Sequence, residues 1–532
     1  MTIRFLISQQ NYTVGAIEDN AQQMINVIQK QAFDVDVIIF SELSLTGYPP
    51  EDWLLRVEFQ QRVEKSLKKI QEVVGDVYAI VGHPIFKNGQ RFNAVSVLHQ
   101  GKIIRQCYKH LLPNYGIFDE KRYFEAGSEP CVFDVKHQRI GILICEDLWW
   151  KGPWKQVVDA GAEIIVSPNA SPFERHKQEQ RETIIRERQA IEGAVPVIYV
   201  NTVGGQDELV FDGRSFVMNA EGKICWQAKA FEPDEFVWGG DNFQNKIPPA
   251  PPFVKEGVHG EALVYKALVL GTRDYAHKNG FKGALLGLSG GIDSALTLAI
   301  AVDALGPENV EAVMMPSRYT ASMSLEDAKA EADALGISLR EISIEPIFNT
   351  FLANLSSNLK SITQQNLQAR ARGMLLMALS NETGRLLLTT GNKSEVAVGY
   401  CTIYGDMAGG LAVLKDVLKT WVYRLAHYRN SLGNIIIPER VLSRAPSAEL
   451  AQDQKDQDSL PPYEELDRIL EQYIENNKSP EELIAAGEDA AIVQKIIRLI
   501  HFNEYKRRQS APGIKVTPCA FGRDWRYPIT FK

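Results

Sequence analysis

Pro248, Pro249, Pro251 and Pro252 place four prolines in five positions near the middle of a 532-residue chain. Each ring fixes its own φ and removes a backbone donor, so the stretch suits neither a helix interior nor an inner strand and runs stiff and extended. The chain is therefore expected to fold as separate bodies on either side of a linker: residues 1–245, a linker over 246–260, and 261–532. At ~100–200 residues per domain, the length accommodates more than one core. The composition, 45% hydrophobic and 23% charged, is that of an ordinary globular chain.

Both halves read as α/β. In the first, apolar β-rich runs (Val35–Phe40, Val77–Val81, Ile140–Ile144, Glu163–Val166, Val197–Val200) alternate with helical stretches at Ala16–Gln31 and Arg56–Val74. Two hairpins turn at Gln100-Gly101 and Glu221-Gly222. After the prolines a helix is expected over 261–279, then strands at Ala284–Leu288, Val310–Met315, Leu339–Ile344 and Arg385–Thr389. Helices over 346–360 and 363–380 fall between the last two. Ser324, with Asp327 three residues on, predicts a capping box opening a helix at Leu325. The polar, proline-punctuated segment 443–462 reads as a mobile loop. Strand–helix alternation of this kind builds a parallel sheet that binds ligands at its strand C-termini.

A net charge of −8 lacks the basic footprint of a nucleic-acid binder. No run of about 18 apolar residues offers a membrane span. The six cysteines (Cys107, Cys131, Cys145, Cys225, Cys401, Cys519) form no CxxC pair, and their scatter fits reduced thiols in a cytoplasmic protein.

The string Gly287-Leu288-Ser289-Gly290-Gly291-Ile292-Asp293-Ser294 lies between a strand and a helix. Glycines let the backbone approach a phosphate, and the free N–H groups of the helix start face the anion. Ser289 and Ser294 add hydroxyl donors. Asp293 would repel phosphate and makes sense as a Mg²⁺ ligand. A neighbouring strand ends in Thr389-Thr390-Gly391-Asn392-Lys393-Ser394-Glu395, where Glu395 offers a second carboxylate for the metal.

In the first half, Glu42, Lys109 and Cys145 each stand just past an apolar strand. A thiol that attacks an amide, a carboxylate that takes its proton and a lysine that stabilises the oxyanion make a coherent amidase. Each residue alone reads more readily as core thiol or solvated charge.

The segments around Glu42, Lys109 and Cys145 resemble the nitrilase superfamily, whose catalytic Glu, Lys and Cys occur in that order. The loop 287–294 resembles that of the ATP-pyrophosphatase family. The fuller strings Ser41–Trp53, Lys109–Phe124 and Gly141–Trp149, with the second half, resemble the bacterial glutamine-dependent NAD⁺ synthetases over nearly the whole chain. The resemblance implies an αββα nitrilase-like sandwich joined to a Rossmann-like nucleotide domain. It implies L-glutamine held by residues matching Tyr115, Ser171 and Lys177, with Glu120 supporting the lysine. It implies ATP at 287–294 and Thr390, Mg²⁺ at Asp293 and Glu395, and deamido-NAD⁺ at Asn366, Glu395 and Lys506; Arg318 is a weaker match in the nucleotide site. Where ammonia-dependent relatives carry a further lysine this chain has Ile403, and no substrate role passes to it. A homodimer or higher homo-oligomer is implied as well. The phosphate loop alone leaves other adenylated carboxylates open as acceptors, and a nucleotide-sensing protein with a silent amidase is the rival outside catalysis.

Overall fold

The structure is a computed structural model that describes residues 3–32, 34–239, 259–355, 359–452 and 454–531. These cluster into two compact units that divide between residues 239 and 259, with Asp207–Leu209 grouped with the second. The proline-rich segment lies outside the described residues.

The first unit contains β1 (Arg4–Gln9), α1 (Ile17–Gln31), β2 (Val37–Ile39), α2 (Val57–Val73), β3 (Tyr78–Lys87), β4 (Gln90–His99) and β5 (Lys102–Tyr108). Then come β6 (Cys131–Val135), β7 (Gln138–Ile142), α3 (Pro153–Asp159), β8 (Ile164–Asn169), α4 (Lys177–Glu192) and β9 (Val197–Asn201). Five strands close the unit: β10 (Val203–Gln206), β11 (Leu209–Asp212), β12 (Phe216–Met218), β13 (Ile224–Gln227) and β14 (Asp234–Gly239). Two six-stranded sheets form, ordered β14-β1-β2-β3-β4-β5 and β13-β12-β9-β8-β7-β6. Phe5, Ile7, Val37, Ile39 and Ile80 of one share a core with Ile140, Ile142, Ile164, Val166 and Ile198 of the other. The outer face of the second sheet packs on α3 and α4 through Trp154, Val157 and Ile185. On α2, Phe59, Val63, Leu67 and Ile70 recur every three or four residues and are all buried, the stripe a covering helix needs. The layers run α, β, β, α, as expected.

Between β4 and β5 the chain reverses in two residues. Gln100 and Gly101 both have positive φ (47° and 70°), the turn that matches strand twist. This hairpin fixes where β5 ends, and so where Lys109 emerges.

The thiols depart from expectation. Cys107 on β5 and Cys131 on β6 form a disulfide with Cα atoms 5.5 Å apart. They lie on edge strands of different sheets, a proximity that a separation of 24 residues conceals. Cys145, Cys225, Cys401 and Cys519 are free.

The second unit opens with α5 (His259–Lys278), two residues before the expected start, and continues β15 (Ala284–Gly287), α6 (Ile292–Leu305), β16 (Val310–Met314), α7 (Ser322–Leu335) and β17 (Ser338–Glu341). Next are α8 (Glu345–Asn354), α9 (Ser361–Thr383), β18 (Leu386–Thr389), α10 (Lys393–Val398), β19 (Leu411–Ala412) and α11 (Lys419–Ser431). The five strands pair in parallel in the order β17-β16-β15-β18-β19. The capping box at Ser324 is not formed. Helix α7 starts at Ser322, and the Ser324 hydroxyl donates to Glu449 Oε1 (2.6 Å) instead of capping. Asp327 is taken by Arg440, with both carboxylate oxygens 3.0 Å from Nε. Tertiary partners here outcompete a local cap. Among the described residues no helix is long and apolar enough to cross a membrane.

Candidate active sites

Glu42 follows β2 and Lys109 follows β5. β2 and β5 belong to the same sheet. Lys109 Nζ, fully buried, donates to Glu42 Oε1 (2.7 Å) and Glu120 Oε1 (2.9 Å). Burial alone would lower its pKa, but the charges of Glu120 and Glu42 outweigh it and hold the amine well above the usual lysine range. Glu42 Oε2 accepts the backbone N–H of Ala170 (2.9 Å), and Glu120 Oε1 accepts the Tyr48 hydroxyl (2.8 Å). Burial, helped by the Glu42 charge, pushes the Glu120 carboxyl up to about 7 against the pull of Lys109.

Cys145 starts a short 3₁₀ turn at the end of β7 with φ +46°, a left-handed conformation that a non-glycine residue holds only when its surroundings impose it. Asp147 fixes that turn by accepting the N–H groups of Ile144 (3.0 Å), His110 (3.0 Å) and Leu111 (2.8 Å). It thereby ties the nucleophile's segment to the one just past Lys109. Burial and the Glu42 charge raise the Cys145 thiol well above its usual value, and Lys109 opposes them. The surroundings of Cys145 thus favour the thiol over the thiolate.

The residues assigned to glutamine divide by position. Tyr115 is half-exposed, and its hydroxyl donates to both oxygens of Glu146 (3.1 Å each). Lys177 Nζ lies 4.8 Å from the centroid of the Trp149 ring and 3.5 Å from Glu174. Ser171 is buried one residue past Ala170, and its hydroxyl accepts from Arg181 (3.1 Å), which is itself paired with Asp212. Sequence reasoning missed Glu146, the neighbour of Cys145, whose carboxylate also takes the Trp150 Nε1–H (2.7 Å). Nothing in its spacing singled it out.

In the second unit β15 has β16 on one side and β18 on the other, a switch point whose strand C-termini open a crevice. A cavity of about 310 Å³ lies there, lined by Gly287, Leu288, Ser289, Gly291, Ile292, Asp293, Ser294, Thr390 and Glu395 among others. That is within the size range of small-molecule sites. The loop is folded on itself: Ser294 Oγ donates to the Gly291 carbonyl (2.9 Å), and Ser289 Oγ accepts the Gly291 N–H (3.2 Å). Gly290 has φ +77°, and a Cβ there would stand 2.3 Å from the Ser324 carbonyl oxygen, so glycine is required. Its carbonyl accepts Arg444 (2.8 Å).

Asp293 and Glu395 come together. Asn392 bridges them, donating to Asp293 Oδ1 (2.8 Å) and accepting the Glu395 N–H (3.0 Å). The buried ammonium of Lys419, missed in the sequence, sits 2.5 Å from Asp293 and 3.4 Å from Glu395. Burial and Asp293 push the Glu395 carboxyl up to about 8 although Lys419 pulls it down.

Asn366 and Lys506 do not line the cavity. Both hold the loop that does: Asn366 Oδ1 accepts the Thr402 hydroxyl (3.0 Å), and Lys506 Nζ donates to the carbonyls of Gly399 (2.8 Å) and Cys401 (2.9 Å). Arg318 is bound to Glu345 outside the cavity.

Comparison with known proteins agrees with this division. Residues 7–235 match the carbon-nitrogen hydrolase family and residues 264–510 the NAD synthase family. A glutamine-dependent NAD(+) synthetase of Xanthomonas campestris is 48% identical over 99% of this chain and 97% of its own length. One of Aquifex aeolicus is 44% identical over 100% and 99%. The structure of the Acinetobacter baumannii glutamine-dependent NAD+ synthetase in complex with ADP is similar with a TM-score of 0.80, at 44% identity over 99% of this chain and 98% of that one. With full-length identity this high and both family models in this order, the chain belongs to the glutamine-dependent NAD(+) synthetases.

Proposed function

We propose that the chain makes NAD⁺ by ATP-dependent amidation of deamido-NAD⁺, with nitrogen released from L-glutamine by its own first unit. The observation that carries this reading is that one polypeptide holds both a buried Glu42–Lys109–Glu120 cluster coupled to Cys145 and a phosphate loop at the switch point of a parallel sheet. Family membership and the ADP complex of the Acinetobacter baumannii relative support it.

In the first unit the Cys145 sulfur attacks the glutamine side-chain carbonyl as its proton passes to Glu42. The ammonium of Lys109 stabilises the oxyanion, and Glu42 returns the proton to departing ammonia. Water activated by Glu42 then hydrolyses the thioester to glutamate. Glutamine also carries a charged α-ammonium and α-carboxylate. Glu146, beside the nucleophile, and Lys177, above Trp149, offer the complementary charges, with Tyr115 orienting Glu146.

In the second unit the nicotinate carboxylate attacks the α-phosphorus of ATP and expels pyrophosphate. Ammonia then displaces AMP from the adenylate, leaving the amide. Loop 287–294 and Thr390 hold the phosphates. Glu395 lines the cavity the dinucleotide would share, while Asn366 and Lys506 shape its wall through the 399–402 loop. Asp293 and Glu395 converge on one cation, Lys419. A pair of carboxylates completed by substrate phosphates is a usual Mg²⁺ donor set, so these residues fit the metal and would hold it. Mg²⁺ bound there would draw charge from the phosphates. We infer a homo-oligomer, since Ile362, Met374 and Met377 leave α9 with large apolar side chains exposed; light scattering at the 59.6 kDa of one chain would exclude it.

A steady-state assay tests the scheme. With glutamine, glutamate, AMP and NAD⁺ should appear in step; with ammonium, AMP and NAD⁺ should appear without glutamate. Absence of AMP under both conditions refutes it. In the same assay Glu146→Gln should raise KM for glutamine about 10- to 100-fold, the loss of one hydrogen bond to a charged partner, and leave ammonium-driven synthesis alone. An unchanged KM removes Glu146 from the site.

A further inference from the structure

We propose that Asn93 is a positioning residue of the glutamine-hydrolysing site, its side-chain amide holding Glu42 and Glu120 in the one arrangement that serves Cys145. The proposal rests on the glutamine-hydrolysing reading above.

Two carboxylates, Glu42 and Glu120, share the single ammonium of Lys109 inside a closed core. The lysine alone does not meet the acceptor oxygens of both carboxyl groups. Asn93 is buried among them on β4. Its Nδ2 donates to Glu42 Oε1 (2.7 Å) and reaches Glu120 Oε2 (3.4 Å). Its backbone carbonyl accepts the N–H of Lys109 (2.8 Å). One residue thus touches all three members of the cluster, one of them through the main chain. Facing two carboxylates, the amide must present its NH₂ end, which fixes its orientation on physical grounds.

The other end of the amide is informative. Asn93 Oδ1 is buried and has no partner among the described residues. An unmet buried acceptor is destabilising, so what this side chain contributes lies at its donor end. This one leaves its oxygen unmet and keeps its donors on the carboxylates. Charge explains the residue type. A lysine or arginine at this place would neutralise the base, and an aspartate would add a third like charge. Asparagine donates without changing the charge of the cluster. Glu42 is thus held by Lys109, Asn93 and the Ala170 N–H, with Glu120 across the shared ammonium.

The test compares Asn93→Ala, Asn93→Asp and Asn93→Ser in the full chain, each assayed with glutamine and with ammonium. Mispositioning of a reacting group lowers rates by about 100-fold, and that is the expected fall in glutamine-driven kcat for Asn93→Ala and Asn93→Asp. KM for glutamine should stay near the parent value, since Asn93 does not face the substrate's charged groups. Asn93→Ser, with a shorter neutral donor, should recover part of the rate. Ammonium-driven synthesis should continue in all three and reports that the chain is folded. Retention of the parental glutamine-driven kcat in Asn93→Ala overturns the proposal. Equal losses with glutamine and ammonium also overturn it, by showing a merely structural role. Cys145→Ala run in parallel separates the two claims: if it still hydrolyses glutamine the underlying reading fails, and if it is inactive while the Asn93 variants are not, Asn93 alone is wrong.

Discussion

Cys145→Ala will lose glutamine-driven NAD⁺ synthesis while synthesis from ammonium salts continues at the parental rate. Deleting the nucleophile of a covalent hydrolase lowers kcat by about 10⁴- to 10⁶-fold, which takes glutamate release to background. The environment of the sulfur explains why nothing nearby substitutes for it. Burial and the Glu42 charge favour the thiol over the thiolate, so its reactivity depends on a neighbouring base taking the proton at the moment of attack. Without the thiol, Glu42 and Lys109 remain locked to each other at 2.7 Å, and neither is a nucleophile toward an amide. The backbone at Cys145 has φ +46° and its turn is fixed by the Asp147 carboxylate, not by the Cys145 side chain, so alanine keeps the same hydrogen bonds. The substitution removes a side chain that is 7% exposed without disturbing the Glu42–Lys109–Glu120 hydrogen bonds. The measurement is glutamate and NAD⁺ from one preparation with each nitrogen source. Survival of glutamine-driven synthesis would refute the amidase assignment, and loss with ammonium as well would mean that the two activities are not carried by separate sites.

What the sequence disclosed followed from local physics. The β4–β5 hairpin was legible because Gln100-Gly101 stands between two apolar runs and a two-residue loop needs positive φ at both positions. The phosphate loop was legible because glycines, a strand and a helix start form one contiguous string. Glu42, Lys109 and Cys145 gained meaning only from the resemblance of their strings. What stayed hidden depended on long-range pairing. β14 lies beside β1 although more than 220 residues separate them. Cys107 and Cys131 meet only because two sheets stack. Lys419 is one lysine among many until α11 places it between Asp293 and Glu395. Asn93 becomes notable only once β4 stands beside β5. Ser324 was misread because a local capping signal ignores Glu449, which is 125 residues away. Polar groups of an active site come from distant loops, and no periodicity records their convergence.

Asp293→Ala will stop synthesis from glutamine and from ammonium alike, by about 10³-fold or more if the carboxylate holds a metal that balances charge on the phosphates. Both nitrogen sources feed the same adenylate, so a defect in making it cannot be bypassed by added ammonium. Asp293 is also the acceptor for Asn392 and the nearer partner of the Lys419 ammonium. Its removal leaves the buried Lys419 ammonium with Glu395 alone, which also weakens the fold around the loop. Asp293→Asn separates chemistry from folding. It keeps an oxygen for Lys419 but gives up the negative charge, so the loop should stay ordered while adenylate formation fails. Glutamate release from the first unit, followed in the same sample, reports whether the chain is intact. An Asp293→Asn variant that still makes NAD⁺ from ammonium at near-parental rate would show that the charge at the start of α6 is not what adenylation requires, and Glu395 with Lys419 would have to carry the phosphate chemistry unaided.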